Sequence, residues 1–110
     1  MKVKENGHTI IIKNTEGNVK TFLEKVTNQY ASFKNHNLIL DITHDKTTDI
    51  NGIKMFSELS KKYLKAKKSF VIVANNIDFN SIPSSITVVP SLLEANDIIQ
   101  MEEIERDLGF

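Results

Sequence analysis

The chain has 110 residues, with 14 Lys and Arg against 14 Asp and Glu, three histidines and no cysteine. A chain of that length makes one domain, residues 1–110, able to bury roughly 65% of its unfolded surface without a metal or disulfide staple. Lack of cysteine excludes disulfide frameworks, thiol nucleophiles and zinc-thiolate sites, and a net charge of zero argues against a general nucleic-acid binder, whose phosphate contacts need surplus Lys and Arg.

The opening segment Met1-Lys2-Val3-Lys4-Glu5-Asn6-Gly7 lacks the apolar centre of a signal peptide, and no later apolar run approaches the about 18 residues of a membrane span. A cytoplasmic protein is therefore expected. Asn6-Gly7 is a two-residue hairpin signal, because both residues accept positive φ at little cost. It joins a strand at Lys2–Glu5 to one at His8–Lys13, whose Ile10-Ile11-Ile12 run suggests more than one covered face.

Asn18 reads as the cap of a first helix carrying Val19, Phe22, Leu23, Val26 and Tyr30 at helical spacing, with Phe33 continuing the stripe. Asn37-Leu38-Ile39-Leu40-Asp41-Ile42 is a short apolar block containing β-branched residues, which predicts a strand buried on both faces. The polar loop Thr43-His44-Asp45-Lys46-Thr47 follows, and Thr48 or Asp49 can cap a second helix with Ile53, Phe56, Leu59 and Tyr63 inward. That helix ends among five lysines, Lys61, Lys62, Lys65, Lys67 and Lys68, which suit the negative end of its dipole better than a nucleic-acid patch.

Ser69–Ala74 is another short apolar strand, and Asn75–Ser85, which contains Pro83, is a loop with a turn near Ile82. Ile86–Val89 is a last short strand stopped by Pro90. Ser91 with Glu94 forms a capping box for a final helix carrying Leu92, Ala95, Ile98, Ile99, Met101, Ile104 and Leu108. Its outer face is acidic, through Glu94, Asp97, Glu102, Glu103, Glu105 and Asp107. The order β-β-α-β-α-β-β-α implies an α/β fold, with right-handed crossovers onto a mostly parallel sheet of four to five strands and helices mainly on one side.

Side chains offer little chemistry. His8, His36 and His44 are scattered, and no zinc-protease helix, nucleophile elbow, phosphate loop or dinucleotide fingerprint occurs. Asp41 and Asp49 converge on the strand-loop-helix junction, but two carboxylates without a third ligand make a poor Mg²⁺ site. No catalytic residue, metal or cofactor is expected.

The element order and the central stretch together resemble the STAS family, the sulfate-transporter and anti-sigma-factor-antagonist domains, along the whole chain. The parts that match are the opening hairpin, the strand Leu38-Ile39-Leu40-Asp41, the polar loop, and Asp49-Ile50-Asn51-Gly52 opening a helix. The family's signature there is Asp-Ser-Ser-Gly or Asp-Ser-Thr-Gly, and its second hydroxyl residue is phosphorylated by a partner kinase. Asp49 and Gly52 match, while Ile50 and Asn51 replace both hydroxyl residues, so the phosphosite-equivalent Asn51 cannot be phosphorylated.

The resemblance implies the STAS fold and a non-enzymatic protein-interaction module. The partner would be a regulatory protein such as an anti-sigma-type kinase domain, with no nucleic acid or membrane, and the chain itself a monomer or weak dimer. The partner-binding residues it implies are His44, Asp45, Lys46, Thr47, Asp49, Ile50, Asn51 and Lys54. Thr47 and Thr48 are the nearby hydroxyls that could take over a switch. Ile50 reads equally as a contact anchor or as a residue buried against the sheet. The alternative is a small-molecule or nucleotide binding protein using a cleft at the carboxyl end of the central strand.

Overall fold

The computed structural model describes residues 1–15, 18–45 and 48–109. The chain opens with an antiparallel hairpin of β1 (Lys2–Asn6) and β2 (Thr9–Lys13). Asn6 pairs with Thr9, so the two turn residues are Gly7 and His8, one place later than the Asn6-Gly7 pair expected. Gly7 has φ +62° at the first central position, where a type II′ turn demands positive φ. Asn6 is thereby free to join the ladder, and β1 gains a residue.

Three parallel strands follow: β3 (Asn37–Asp41), β4 (Phe70–Val73) and β5 (Thr87–Val89). They extend the hairpin into a five-stranded sheet of order β1-β2-β3-β4-β5, parallel from β2 onward. Every residue of β3 and β4 is buried, as their unbroken apolar runs require.

Both crossover helices arrive in two pieces. The first is α1 (Val19–Asn28) followed, after a break at Gln29, by α2 (Tyr30–Phe33). Asn18 caps α1, its side-chain oxygen accepting from the Thr21 N–H at 2.9 Å. The second is α3 (Ile50–Lys54) and α4 (Ser57–Lys65). Between them Met55 donates to the Gly52 carbonyl and Phe56 to that of Ile53, bonds three residues back that tighten the turn. The loop after β4 contains a 3₁₀ turn at Phe79–Ser81, and α5 (Leu92–Asp107) starts with Ser91 Oγ accepting from the Glu94 N–H at 3.2 Å.

Alternation along the strands divides the core in two. Ile10, Ile12, Leu38, Leu40, Phe70 and Ile72 face the side covered by α1 to α4, where Phe22, Val26, Ile53, Phe56 and Tyr63 fill the layer. Ile39, Val71, Val73 and Val89 face the other side and meet Ala95 and Ile99 of α5. Four helical segments thus share one face, as expected, but the longest helix stands alone on the opposite one.

That placement divides the apolar residues of α5. Ala95 and Ile99 are buried, whereas Met101, Ile104 and Leu108, expected to help carry the helix onto the core, are 61%, 57% and 67% exposed. Arg106 ties the end of α5 to the amino ends of the strands, donating to Ser69 Oγ at 3.2 Å and to Asn37 Oδ1 at 3.4 Å. Among the described residues no helix is long and apolar enough to cross a membrane.

Candidate functional site

The carboxyl end of β3 feeds the tip that the sequence singles out. Asp41 closes the strand with only 7% of its surface exposed. Its Oδ1 accepts from the Thr43 N–H at 3.0 Å and the Thr43 hydroxyl at 2.7 Å, which folds the chain sharply out of the sheet. The Asp45 N–H then donates to the Ile42 carbonyl at 3.2 Å, and the turn leaves His44 exposed. Lys46 and Thr47, two of the residues expected at the partner surface, lie outside the described residues.

Past them, Asp49 rather than Thr48 caps α3, its Oδ1 accepting from the Gly52 N–H at 3.0 Å. The cap orients the whole first turn. Ile53 points inward and is fully buried, while Asn51 and Lys54 face solvent. Ile50 is half-buried, between the two readings open for it. Gly52 lies beside the start of α1, where an added Cβ would sit 3.4 Å from Thr48 Cγ2 and 3.9 Å from Val19 Cγ1. The cap and first turns of α3 therefore hold Asp49, Asn51 and Lys54 exposed and Ile50 half-buried, and His44 is exposed on the turn after β3.

The two candidate metal carboxylates are already engaged, Asp41 with Thr43 and Asp49 with the helix cap. Among the described residues no three His, Asp or Glu side chains gather as a metal would need. The other two histidines are at the amino ends of the strands, His8 Nδ1 3.2 Å from Glu103 and His36 Nε2 2.9 Å from Glu5. A cleft of about 340 Å³ lies there too, lined by both histidines, Lys67, Lys68 and Arg106, at the far end from the tip. Because the strand order never reverses, the sheet also has no switch point of the kind that opens a ligand crevice in other α/β folds.

One residue of the neighbourhood was missed by sequence reasoning, which read Asn14 as the start of a turn. Asn14 is 2% exposed, and its N–H donates to the Asp41 carbonyl at 2.9 Å, carrying the β2–β3 ladder one residue further. Among the described residues its Nδ2 finds no hydrogen-bond partner, nor does the buried Thr48 Oγ1. An asparagine directly after an isoleucine strand was the available signal, and it pointed equally to a loop.

At the other end of α4 from the tip, beside Phe70 at the start of β4, Tyr63 is 1% exposed and packs edge-on to Tyr30, with ring centroids 5.7 Å apart. Burial, reinforced by the neighbouring Tyr30, pushes its phenol well above the usual tyrosine range. Neither family models nor curated proteins match the chain.

Proposed function

We propose that the chain is a non-enzymatic protein-interaction module of the anti-sigma-antagonist type. In this reading it grips a regulatory protein through the turn after β3 and the first turn of α3. The observation that carries the reading is how the tip is presented. Asp49 caps α3 and Ile53 is buried beneath it, leaving Asn51 and Lys54 in solvent on the capped helix, while His44 is exposed on the turn after β3. Side chains held in place before binding lose little freedom on contact, so such a tip suits recognition without catalysis.

Asn51 occupies the place where STAS relatives carry the modifiable hydroxyl. It offers a hydrogen-bonding group but nothing to phosphorylate, so the surface stays permanently competent. Affinity capture from the native cell tests this with wild-type, Asn51→Lys and Lys54→Glu baits. Partners retained by the wild type and lost by both variants, at unchanged melting temperature, are the expected result. Baits that all retain the same partners sink the reading.

A further inference from the structure

The face of the sheet that carries α5 is only half covered. Five strands spaced about 4.8 Å apart present a face about 20 Å wide, whereas one helix spans about 10 Å. α5 packs over β3, β4 and β5. Beyond it the same face of the β1–β2 hairpin stays open, since Lys4 pairs with Ile11 and Lys2 with Lys13 on that side. Ile11 is half-buried at the edge of the core, the three lysines are exposed around it, and together with Leu92 they line a depression of about 450 Å³.

The helix beside this shelf is also unfinished. Leu93, Met101, Ile104 and Leu108 are 72%, 61%, 57% and 67% exposed. With Asp97 they fall at spacings of four, four, three and four residues, one continuous stripe on the side opposite Ala95 and Ile99. A helix apolar on two opposite sides is the pattern of one covered on both. The charges in and beside the outer stripe are Glu94, Asp97, Glu105 and Asp107, four carboxylates, against Lys2, Lys4 and Lys13 on the shelf.

We propose that two copies of this chain form a twofold-symmetric dimer in which the outer stripe of each α5 fills the other's β1–β2 shelf. Both surfaces lie side by side on one face, so a single rotation satisfies both at once and the contact closes at two. The result is two sheets enclosing one layer of two helices, each helix covered by its own sheet below and the partner's above. The other lysine-rich surface, at the end of α4, cannot serve in this way. The helix that leads into it packs on the opposite face of the sheet, and its last lysines, Lys67 and Lys68, share a cleft with Glu103, Arg106 and Asp107 of the same molecule's α5.

The mass of the full chain in solution, read by sedimentation between about 1 μM and about 1 mM, tests the pairing. The expected result is a shift from 12.5 kDa to twice that mass. Met101→Glu with Ile104→Glu returns the single mass at unchanged circular dichroism, and Leu93→Glu does the same if that pair fails to fold. A charge-reversed shelf (Lys2, Lys4 and Lys13→Glu) and a charge-reversed helix (Glu94, Asp97 and Glu105→Lys) are each monomeric alone and pair when mixed. Three outcomes overturn the proposal. These are a single mass up to about 1 mM, even if α5 then captures a basic amphipathic peptide, a doubled mass that survives the Met101/Ile104 change, as pairing of β1 edges gives, or masses that grow past two.

Discussion

The Asp41 carboxylate oxygen takes both its hydrogen bonds from one neighbour, the Thr43 N–H at 3.0 Å and the Thr43 hydroxyl at 2.7 Å. The two bonds hold the turn that follows β3. Thr43→Val keeps the shape and the backbone bond but removes the hydroxyl bond to a charged acceptor, a loss of about 1.5–3 kcal/mol. Urea denaturation measures it as a lower midpoint at unchanged slope. A midpoint equal to that of the wild type means that the hydroxyl is not what holds the turn.

Gly52 separates packing from recognition. It is not among the glycines with positive φ, and an added Cβ meets Thr48 Cγ2 at 3.4 Å, an ordinary contact distance. The fold therefore has no steric need for glycine there. Gly52→Ala is expected to stabilise the protein by about 0.5–1 kcal/mol through helix propensity. Thermal unfolding checks the sign. If the variant is more stable yet no longer captures partners, the glycine is kept for close approach of another molecule to α3.

Asn51→Asp tests the proposed reading, because it gives the start of α3 the kind of negative charge that phosphorylation would put there in a STAS domain. Asn51 is exposed in the first turn of α3, where an added carboxylate faces the favourable end of the helix dipole but stands two residues from Asp49. Those opposing effects leave stability within about 0.5 kcal/mol of the wild type. Loss of captured partners at an unchanged melting temperature is the expected outcome. Retention of partners by Asn51→Asp would show that charge at this position does not govern binding.

The parts of the fold legible in the sequence were those where one interaction dominates. Leu38, Ile39 and Leu40 have no solvent-facing alternative, so β3 was legible as a strand covered on both faces, and Asn18, the Thr48-Asp49 pair and Ser91 announced three helix starts through their capping oxygens. The Gly7-His8 turn was not legible because Asn6-Gly7 satisfies the same rule one place earlier. Only the pairing of Asn6 with Thr9 across the ladder decides between them.

The breaks at Gln29 and at Met55–Phe56 escaped for a related reason. The inward stripe of Ile53, Phe56, Leu59 and Tyr63 runs through the second break unchanged, so the pattern of apolar residues cannot reveal it. For α5 the spacing failed outright. Apolar residues stand on both sides of the helix, and nothing in their order tells which side meets the sheet. At the candidate tip the sequence left Thr48 and Asp49 open as the cap, and the structure assigns it to Asp49. Asn14 was not legible, because its role depends on the carbonyl of Asp41, 27 positions away.

Tyr63 makes the stability of the protein fall in alkali. Its hydroxyl is buried without a hydrogen-bond partner among the described residues, and burial raises its pKa above the ordinary value of about 10. Above that pH the unfolded chain releases the phenol proton while the folded chain holds it. The native state then binds more protons than the unfolded one, and stability declines as pH rises. Below that pH both states keep the proton and the group contributes no pH dependence. Tyr63→Phe keeps the ring against Phe70, at a centroid distance of 5.5 Å, and removes the unpaired hydroxyl. Swapping an unsatisfied polar atom for none is close to neutral or stabilising, by about 1 kcal/mol at neutral pH. Melting temperatures measured from pH 7 to pH 11 are expected to diverge above about pH 10, with the variant's curve the flatter. Parallel curves over that range would place the alkaline loss on another group.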